Sequence, residues 1–254
     1  MEPWEIISLE TDYSGQAIGA YFEEELGMKI RRVRNLKKED LKLDKDDIFK
    51  LTSSALKGGL ERKLVLYGSG AYHHYTYGLC RHADRLSGNY AYMHFDHHND
   101  HFKHEEIYGE YRGKARISCG AFLADLLKDT NASAVMLIGS NMGSQTPVKN
   151  KIYKAITEKH LRAIRGFRRF GRDLSALPED VYLSFDLDVM TKRCLRSAYD
   201  QGTLKPKELF KMIETIKRNK RIISADVLGF AGMLDQTLPG KSLYKDIVLS
   251  LLES

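Results

Sequence analysis

The sequence predicts an α/β protein, a single domain over residues 1–254 with a mainly parallel sheet, and three observations point that way. Short apolar runs rich in β-branched and aromatic residues recur along the whole chain. Segments with helical periodicity separate them. No internal repeat, low-complexity tract or Pro/Gly/Ser linker divides the chain. Strand–helix alternation of this kind favours parallel strands covered by helices.

Taken in order, the first strand falls at residues 6–9 and a helix follows over 15–26. A second strand, 64–67, ends in Gly68-Ser69-Gly70 and leads into a helix at 74–83. Next come a strand at 92–96, a helix at 120–128, a strand at 134–138 and a helix at 151–165. Strands at 181–185 and 222–227 flank a helix at 205–218, and a last helix covers 242–252. Pro206 stands in the first turn of its helix, where its missing N–H costs little. The strands are four to six residues long and apolar, as strands buried between helices should be.

Hydrophobic residues make up 43% of the chain and charged residues 29%, enough for a sizeable core and unlike disordered, collagen-like or coiled-coil sequences. No apolar run approaches the roughly 20 residues that span a bilayer. The start, Met1-Glu2-Pro3-Trp4-Glu5, lacks the basic-then-apolar layout of a signal peptide. Cys80, Cys119 and Cys194 are too few and too scattered for a disulfide framework or a CxxC zinc site. The expectation is a reduced, cytoplasmic protein without membrane partners. The net charge of +6 is clustered, one group lying between Lys29 and Lys38 and another at Arg162, Arg165, Arg168, Arg169 and Arg172. The second group has near-helical spacing and reads first as a solvated face, with RNA contact or a subunit interface as alternatives. No RRM-like aromatic platform or zinc-finger spacing accompanies it, so nucleic acid is not the expected partner.

In parallel sheets ligands bind at the C-terminal ends of the strands, and the chemistry-bearing residues gather there. The third strand runs Tyr92-Met93-His94-Phe95-Asp96-His97-His98-Asn99-Asp100-His101. With the chain extended, Asp96, His98 and Asp100 share one face, and His97 points to the other. Further histidines at His94, His101 and His104 are candidate extra ligands, or supporting or exposed groups. The fifth strand ends Ser184-Phe185-Asp186-Leu187-Asp188, again placing two carboxylates on one side. Carboxylates packed together repel unless a cation neutralises them, and mixed oxygen and imidazole donors suit Mn²⁺, Fe²⁺ or Zn²⁺ better than Ca²⁺. The turn Gly68-Ser69-Gly70-Ala71-Tyr72-His73-His74 presents histidine as the next helix begins. It lacks the lysine and spacing of phosphate-cradling loops.

Together these segments resemble the ureohydrolase superfamily of arginase, agmatinase and formimidoylglutamase. Gly70-Ala71-Tyr72-His73 resembles its GG-x-H turn, Asp96-His97-His98-Asn99-Asp100 its D-x-H-x-D strand end, and Ser184-Phe185-Asp186-Leu187-Asp188 its S-[FI]-D-[LIV]-D strand end. Ile138-Gly139-Ser140 and the stretch from Gly202 to Leu209 extend the match in the same order. The resemblance implies an arginase-like three-layer α-β-α fold and two Mn²⁺ ions, with Fe²⁺ or Zn²⁺ as alternatives. One ion would be held by His73, Asp96, Asp100 and Asp186, the other by Asp96, His98, Asp186 and Asp188. His74 competes for the first position; His73 is preferred because Gly78 then stands five residues on, as the family's helix glycine does. A water bridging the ions would attack a guanidino, amidino or formimino carbon, and Asp100 would pass a proton to the leaving amine. Asp226 falls where the family grips the guanidinium with an acid, one methylene shorter than the usual glutamate. Homo-oligomers are common in the family.

The departures bear on the substrate. Where arginases and agmatinases have a proton-shuttling histidine before a glycine, this chain reads Ile117-Ser118-Cys119-Gly120. Cys119 would be a thiolate if a helix start lowered its pKa, and otherwise a small packed residue. His101, Phe102, Lys103 and His104 do not match the loop that reads an α-amino acid, and Met190-Thr191-Lys192-Arg193 replaces the usual Asp-Pro. Arginase activity itself is therefore not expected. A related metal-dependent amidohydrolase or deacetylase is the alternative, and a non-enzymatic protein binding through its arginine-rich helix is the third reading.

Overall fold

The computed structural model describes residues 3–34, 42–101, 116–141, 151–157, 166–231 and 238–253. Its centre is an eight-stranded sheet in the order β2-β1-β4-β10-β9-β5-β7-β8. The strands are β1 (Glu5–Leu9), β2 (Ile30–Val33), β4 (Lys63–Tyr67), β5 (Tyr90–Phe95), β7 (Ala132–Ile138), β8 (Ile152–Ile156), β9 (Asp180–Asp186) and β10 (Arg221–Leu228). Every pairing in this sheet is parallel. A small antiparallel ribbon joins β3 (Lys42–Asp44) to β6 (Arg116–Ser118). Helices α1 (Tyr13–Ala20), α2 (Lys45–Leu56), α3 (Tyr75–Ala83), α4 (Leu123–Asp129), α5 (Gly166–Ser175), α6 (Pro206–Asn219) and α7 (Leu238–Leu252) complete the described elements.

Two apolar clusters lie on opposite faces of the sheet, which makes the fold a three-layer α-β-α arrangement. Alternate residues of β5 show why: Ala91, Met93 and Phe95 enter one cluster, and Tyr90 and Tyr92 the other. All six residues of β5 and all seven of β9 are buried. Only strands covered on both faces carry so continuous an apolar pattern. Topologically, β9 and β10 are inserted between β4 and β5, so the winding reverses at the middle of the sheet. That reversal is where parallel α/β folds open a crevice beyond the strand ends.

One expected element is corrected. Residues 152–156 form the edge strand β8, paired along β7 from Ala134↔Ile152 to Ile138↔Ile156, where a helix over 151–165 was expected. Lys154 and its polar neighbours imitate a helical period, but a parallel edge needs only one buried face. Residues 158–165 lie outside the described residues, and helix α5 begins at Gly166. Of the arginine group, Arg162 and Arg165 also lie outside. Arg169 and Arg172 both pair with Asp173, at 3.3 and 3.4 Å, so part of that charge is balanced within the helix. The first basic group is partly balanced too, since Arg31 pairs with Glu5 at 2.7 Å and Arg32 with Glu10. Among the described residues no helix is long and apolar enough to cross a membrane.

Candidate metal centre

Three strand ends supply the site. After β4 the chain turns through a short 3-10 segment, Gly70–Tyr72, and delivers His73. Gly70 permits this approach: a Cβ there would stand 2.6 Å from Asp186 Oδ2. At β5 the strand stops at Phe95, so Asp96, His98 and Asp100 do not stay extended. The backbone instead folds into a turn, with the His98 N–H donating to Asp96 Oδ1 at 2.5 Å and Asp100 in the left-handed region at φ 46°. Asp tolerates that conformation better than most side chains. The three side chains still converge, by a turn rather than by strand alternation. At β9 the strand ends on Asp186, whose Oδ1 accepts the Asp188 N–H at 3.0 Å and winds residues 187–189 into another 3-10 turn.

The resulting constellation is compact and buried. His73 Nδ1 lies 3.0 Å from Asp96 Oδ2, 3.0 Å from Asp100 Oδ2 and 3.7 Å from Asp186 Oδ2. His98 Nδ1 lies 2.9 Å from Asp188 Oδ2 and 3.4 Å from Asp96 Oδ1. Asp96 thus faces His98 with Oδ1 and both His73 and His94 with Oδ2. Asp96, His98, Asp100, Asp186 and Asp188 line a cavity of about 190 Å³ with Gly70, Cys119, Gly120 and Tyr199. A larger cleft of about 610 Å³, lined by Arg62, Arg85 and Arg221 among others, opens near the N-terminal ends of β4 and β10. The four aspartates sit at the end where parallel sheets bind ligands, and the larger cleft does not.

Electrostatics ask for cations at this site. Burial, then the charge of Asp96, pushes Asp100 up to about 6 and Asp186 up to about 7. Burial, then Asp186 and Asp96, drives Asp188 well above the carboxylate range. Burial also works against Asp96, yet the imidazoles of His94, His73 and His98 hold it well below its ordinary value. His98 rises to about 11, because Asp188 and Asp96 outweigh the cost of burying its charge. Carboxylates so crowded cannot all ionise without positive charge among them.

The hydrogen bonds around His73 say what kind of cation fits. Ser184 Oγ donates its single proton to Asp226 Oδ1 at 2.6 Å. It can therefore only accept from His73 Nε2, 2.9 Å away. His73 Nε2 thus carries a proton, and Nδ1 faces Asp96 and Asp100 at 3.0 Å. Burial opposes a charged ring, but Asp100 and Asp96 outweigh it and raise the His73 pKa well above 6.5. An imidazole whose outer nitrogen is fixed in this way and whose inner nitrogen faces carboxylates has the support of a metal ligand, an ion taking the place of the inner proton. The side chains present fit divalent metal. The compatible groupings among the described residues are His73, His94, Asp96 and Asp100, and Asp96, His98 and Asp188.

The structure also revises particular expectations. Asp226 does not line the cavity: it is fully buried on β10, with Ser184, Tyr182 and Thr76 donating to its oxygens at 2.6, 2.6 and 3.1 Å. It supports His73 from beneath rather than facing a guanidinium. The misreading arose because both faces of a buried strand look alike in sequence. Cys119 does line the cavity, but in the turn before α4, and burial followed by the charge of Asp100 raises its pKa to about 11. It is a thiol at neutral pH, not the thiolate a helix start would favour. His74 is buried against Tyr72 and Tyr75 and belongs to neither compact group of ligand-type side chains.

Among the remaining histidines, His97 lies 3.3 Å from Asn141, and its backbone N–H donates to Asp188 Oδ1 at 3.0 Å. His101 is buried and bridges to Ala121. His104 lies outside the described residues. His94 sits fully buried beside the aspartates, with Nε2 3.3 Å from Asp96 Oδ2. Sequence reasoning missed Tyr199, which packs edge-on against His98 with ring centroids 6.2 Å apart. Nothing in its local sequence distinguishes it from other loop tyrosines. It missed Tyr182 and Thr76 as well. For Tyr182 a signal existed, since it stands two residues before Ser184 on the same strand face.

A parallel α/β fold with paired aspartate strand ends and a buried imidazole defines a metallohydrolase-type centre. The chain belongs to the arginase family, whose model matches residues 11–252. Members are binuclear-metal hydrolases, and the chain is a metal-dependent hydrolase of non-peptide C–N bonds. Among solved structures it is similar to arginase from Bacillus caldovelox, at 17% identity and a TM-score of 0.73, covering 100% of this chain and 99% of that one. Agmatine ureohydrolase of Thermoplasma volcanium matches at 15% identity and 0.70, covering 98% and 89%. Formimidoylglutamase from Bacillus subtilis matches at 15% and 0.70, covering 99% and 87%. No curated protein sequence matches the chain.

Proposed function

We propose that the protein is a binuclear Mn²⁺ hydrolase of a small guanidino, amidino or formimino compound, working in the cytoplasm. His73, Asp96, Asp100 and Asp186 would hold one ion and Asp96, His98, Asp186 and Asp188 the other. Fe²⁺ or Zn²⁺ would satisfy the same donors. The observation that carries this reading is the placement of His73 Nδ1, buried among Asp96, Asp100 and Asp186, where an ion would take the place of a proton. When bound, the two ions supply Lewis acidity and bring a water within reach of ionisation near neutral pH. The chain's own part is to offer a cavity of about 190 Å³ beside the ligands and to manage protons. Asp100 would carry a proton to the departing amine. Asp226, through Ser184, keeps His73 in the tautomer that presents Nδ1.

The test is elemental analysis of the purified wild type and Asp186→Ala, then assays of guanidino and formimino substrates. About two ions per chain, lost in the variant together with C–N hydrolysis, is the expected result. A wild type that takes up no Mn²⁺, Fe²⁺ or Zn²⁺ would overturn the reading.

One observation favours a second substrate class. The carboxylate expected to grip a guanidinium, Asp226, is engaged by three hydroxyl groups below the cavity. Formyl- or acetyl-amines, which carry no cation to pair, are therefore the second class to assay. Their cleavage without any release of urea or ammonia from guanidino compounds would select it.

A further inference from the structure

We propose that His94 is an additional metal-ligating side chain, a second imidazole on the ion held by His73; this rests on the binuclear reading above. His94 stands two residues before Asp96, so both leave β5 towards the same side. It is fully buried, and its ring stacks on that of His73 with centroids 4.9 Å apart. Its Nε2 lies 3.3 Å from Asp96 Oδ2 and 3.8 Å from Asp100 Oδ2, the two oxygens that His73 Nδ1 also meets.

Tyr92 Oη lies 3.0 Å from His94 Nδ1. With the imidazole hydrogen on Nδ1 and donated to Tyr92, Nε2 is the lone pair of the ring, and it is buried without a hydrogen-bond partner. A lone pair 3.3 Å from a carboxylate oxygen repels it unless a cation stands between them. His73, His94, Asp96 and Asp100 each offer one donor atom, all within 4.8 Å of one another, compact enough to close on one ion.

The chemistry follows from the donor count. One ion would have two imidazoles and the other only His98, so the two positions differ in affinity. Extra imidazole favours later metals of the first row, and the His94 position should prefer Fe²⁺ or Zn²⁺ to Mn²⁺ more strongly than its neighbour does.

The test uses the full chain, stripped of metal and reloaded. With one equivalent of Mn²⁺, pulsed electron paramagnetic resonance should count two imidazole nitrogens on the ion in wild type and one in His94→Phe. Competition titration should show His94→Phe and His94→Gln weakening the tighter position at least about 10-fold, with the weaker position unchanged. One nitrogen in the wild type would overturn the proposal and make His94 an N–H donor that positions Asp96. Unchanged tight-site affinity in both variants would also overturn it. In either case two ions per wild-type chain would leave the binuclear reading standing, whereas no uptake by the wild type would remove both. If His94→Phe fails to fold, the nitrogen count on the wild type decides alone.

Discussion

His73 is tied to Asp226 through one hydroxyl group, that of Ser184, which lies 2.9 Å from the imidazole and 2.6 Å from the carboxylate. Asp226 is fully buried, and burial raises its pKa while its three hydroxyl donors and His73 oppose that rise. The carboxylate therefore acts on the site only through the orientation of other groups. Asp226→Asn should fold, keep a similar KM, and lose metal affinity and kcat by roughly 10–100-fold, the usual effect of disturbing a ligand's support. Metal titration beside steady-state kinetics checks this. A rise in KM alone would mean that Asp226 meets the substrate after all.

Gly229 should tolerate no side chain. Its φ is +88°, and a Cβ there would collide with Asp186 Oδ1 and press on the Leu187 backbone. The left-handed backbone alone costs an alanine about 1–3 kcal/mol. Gly229→Ala should therefore lower the melting temperature by several degrees and reduce bound metal, measured by calorimetry and elemental analysis of the same sample.

Cys119 should behave as a thiol of high pKa. Its alkylation by iodoacetamide, followed in a Cys194→Ser background, should be slow at pH 7 and keep accelerating to about pH 11 in the metal-free protein. A rate already maximal at pH 7 would contradict its surroundings as described.

Acid should weaken the fold through His82. Its ring stacks on Phe49 at 4.6 Å, and Nε2 lies 3.0 Å from Ser53 Oγ. Burial, then the charge of Arg85, lowers its pKa from 6.5 to about 4. Between those values the unfolded chain holds a proton that the native state refuses. Stability should thus fall as pH drops from about 6.5 to about 4, and this contribution should then level off. Allowing for partial solvent screening, the loss is about 1–2 kcal/mol. Urea titrations at pH 7 and pH 4.5 should show a shallower loss in His82→Phe.

Much of this architecture is written in the sequence because its central strands are buried on both sides. The run Val181 to Phe185 can be little else than an inner strand, and Asp186 then has to stand at its end. Edge elements are less legible. β2 carries Arg31 and Arg32, β8 carries Lys154, and neither meets the apolar criterion that marks an inner strand. The cluster was legible in its side-chain types and not in its backbone. Asp96, His98 and Asp100 converge through a turn with Asp100 at positive φ, which no alternation rule anticipates. Asp226 was misassigned for a related reason: only the folded chain shows which hydroxyl groups reach it.

The position of β9 and β10 between β4 and β5 has a consequence during synthesis. As the nascent chain leaves the ribosome, the facing edges of β4 and β5 have no partners until residues 180–228 arrive. At 5–20 residues per second, about 7–27 s separate the emergence of Phe95 from that of Leu228. For that interval two apolar strand edges are templates for mispairing, and His73 and Asp96 wait for Asp186 before an ion can close the cluster. Binding of the proposed ions would therefore be a late event of biogenesis, and chains stalled before residue 180 should be substrates for chaperones rather than for refolding.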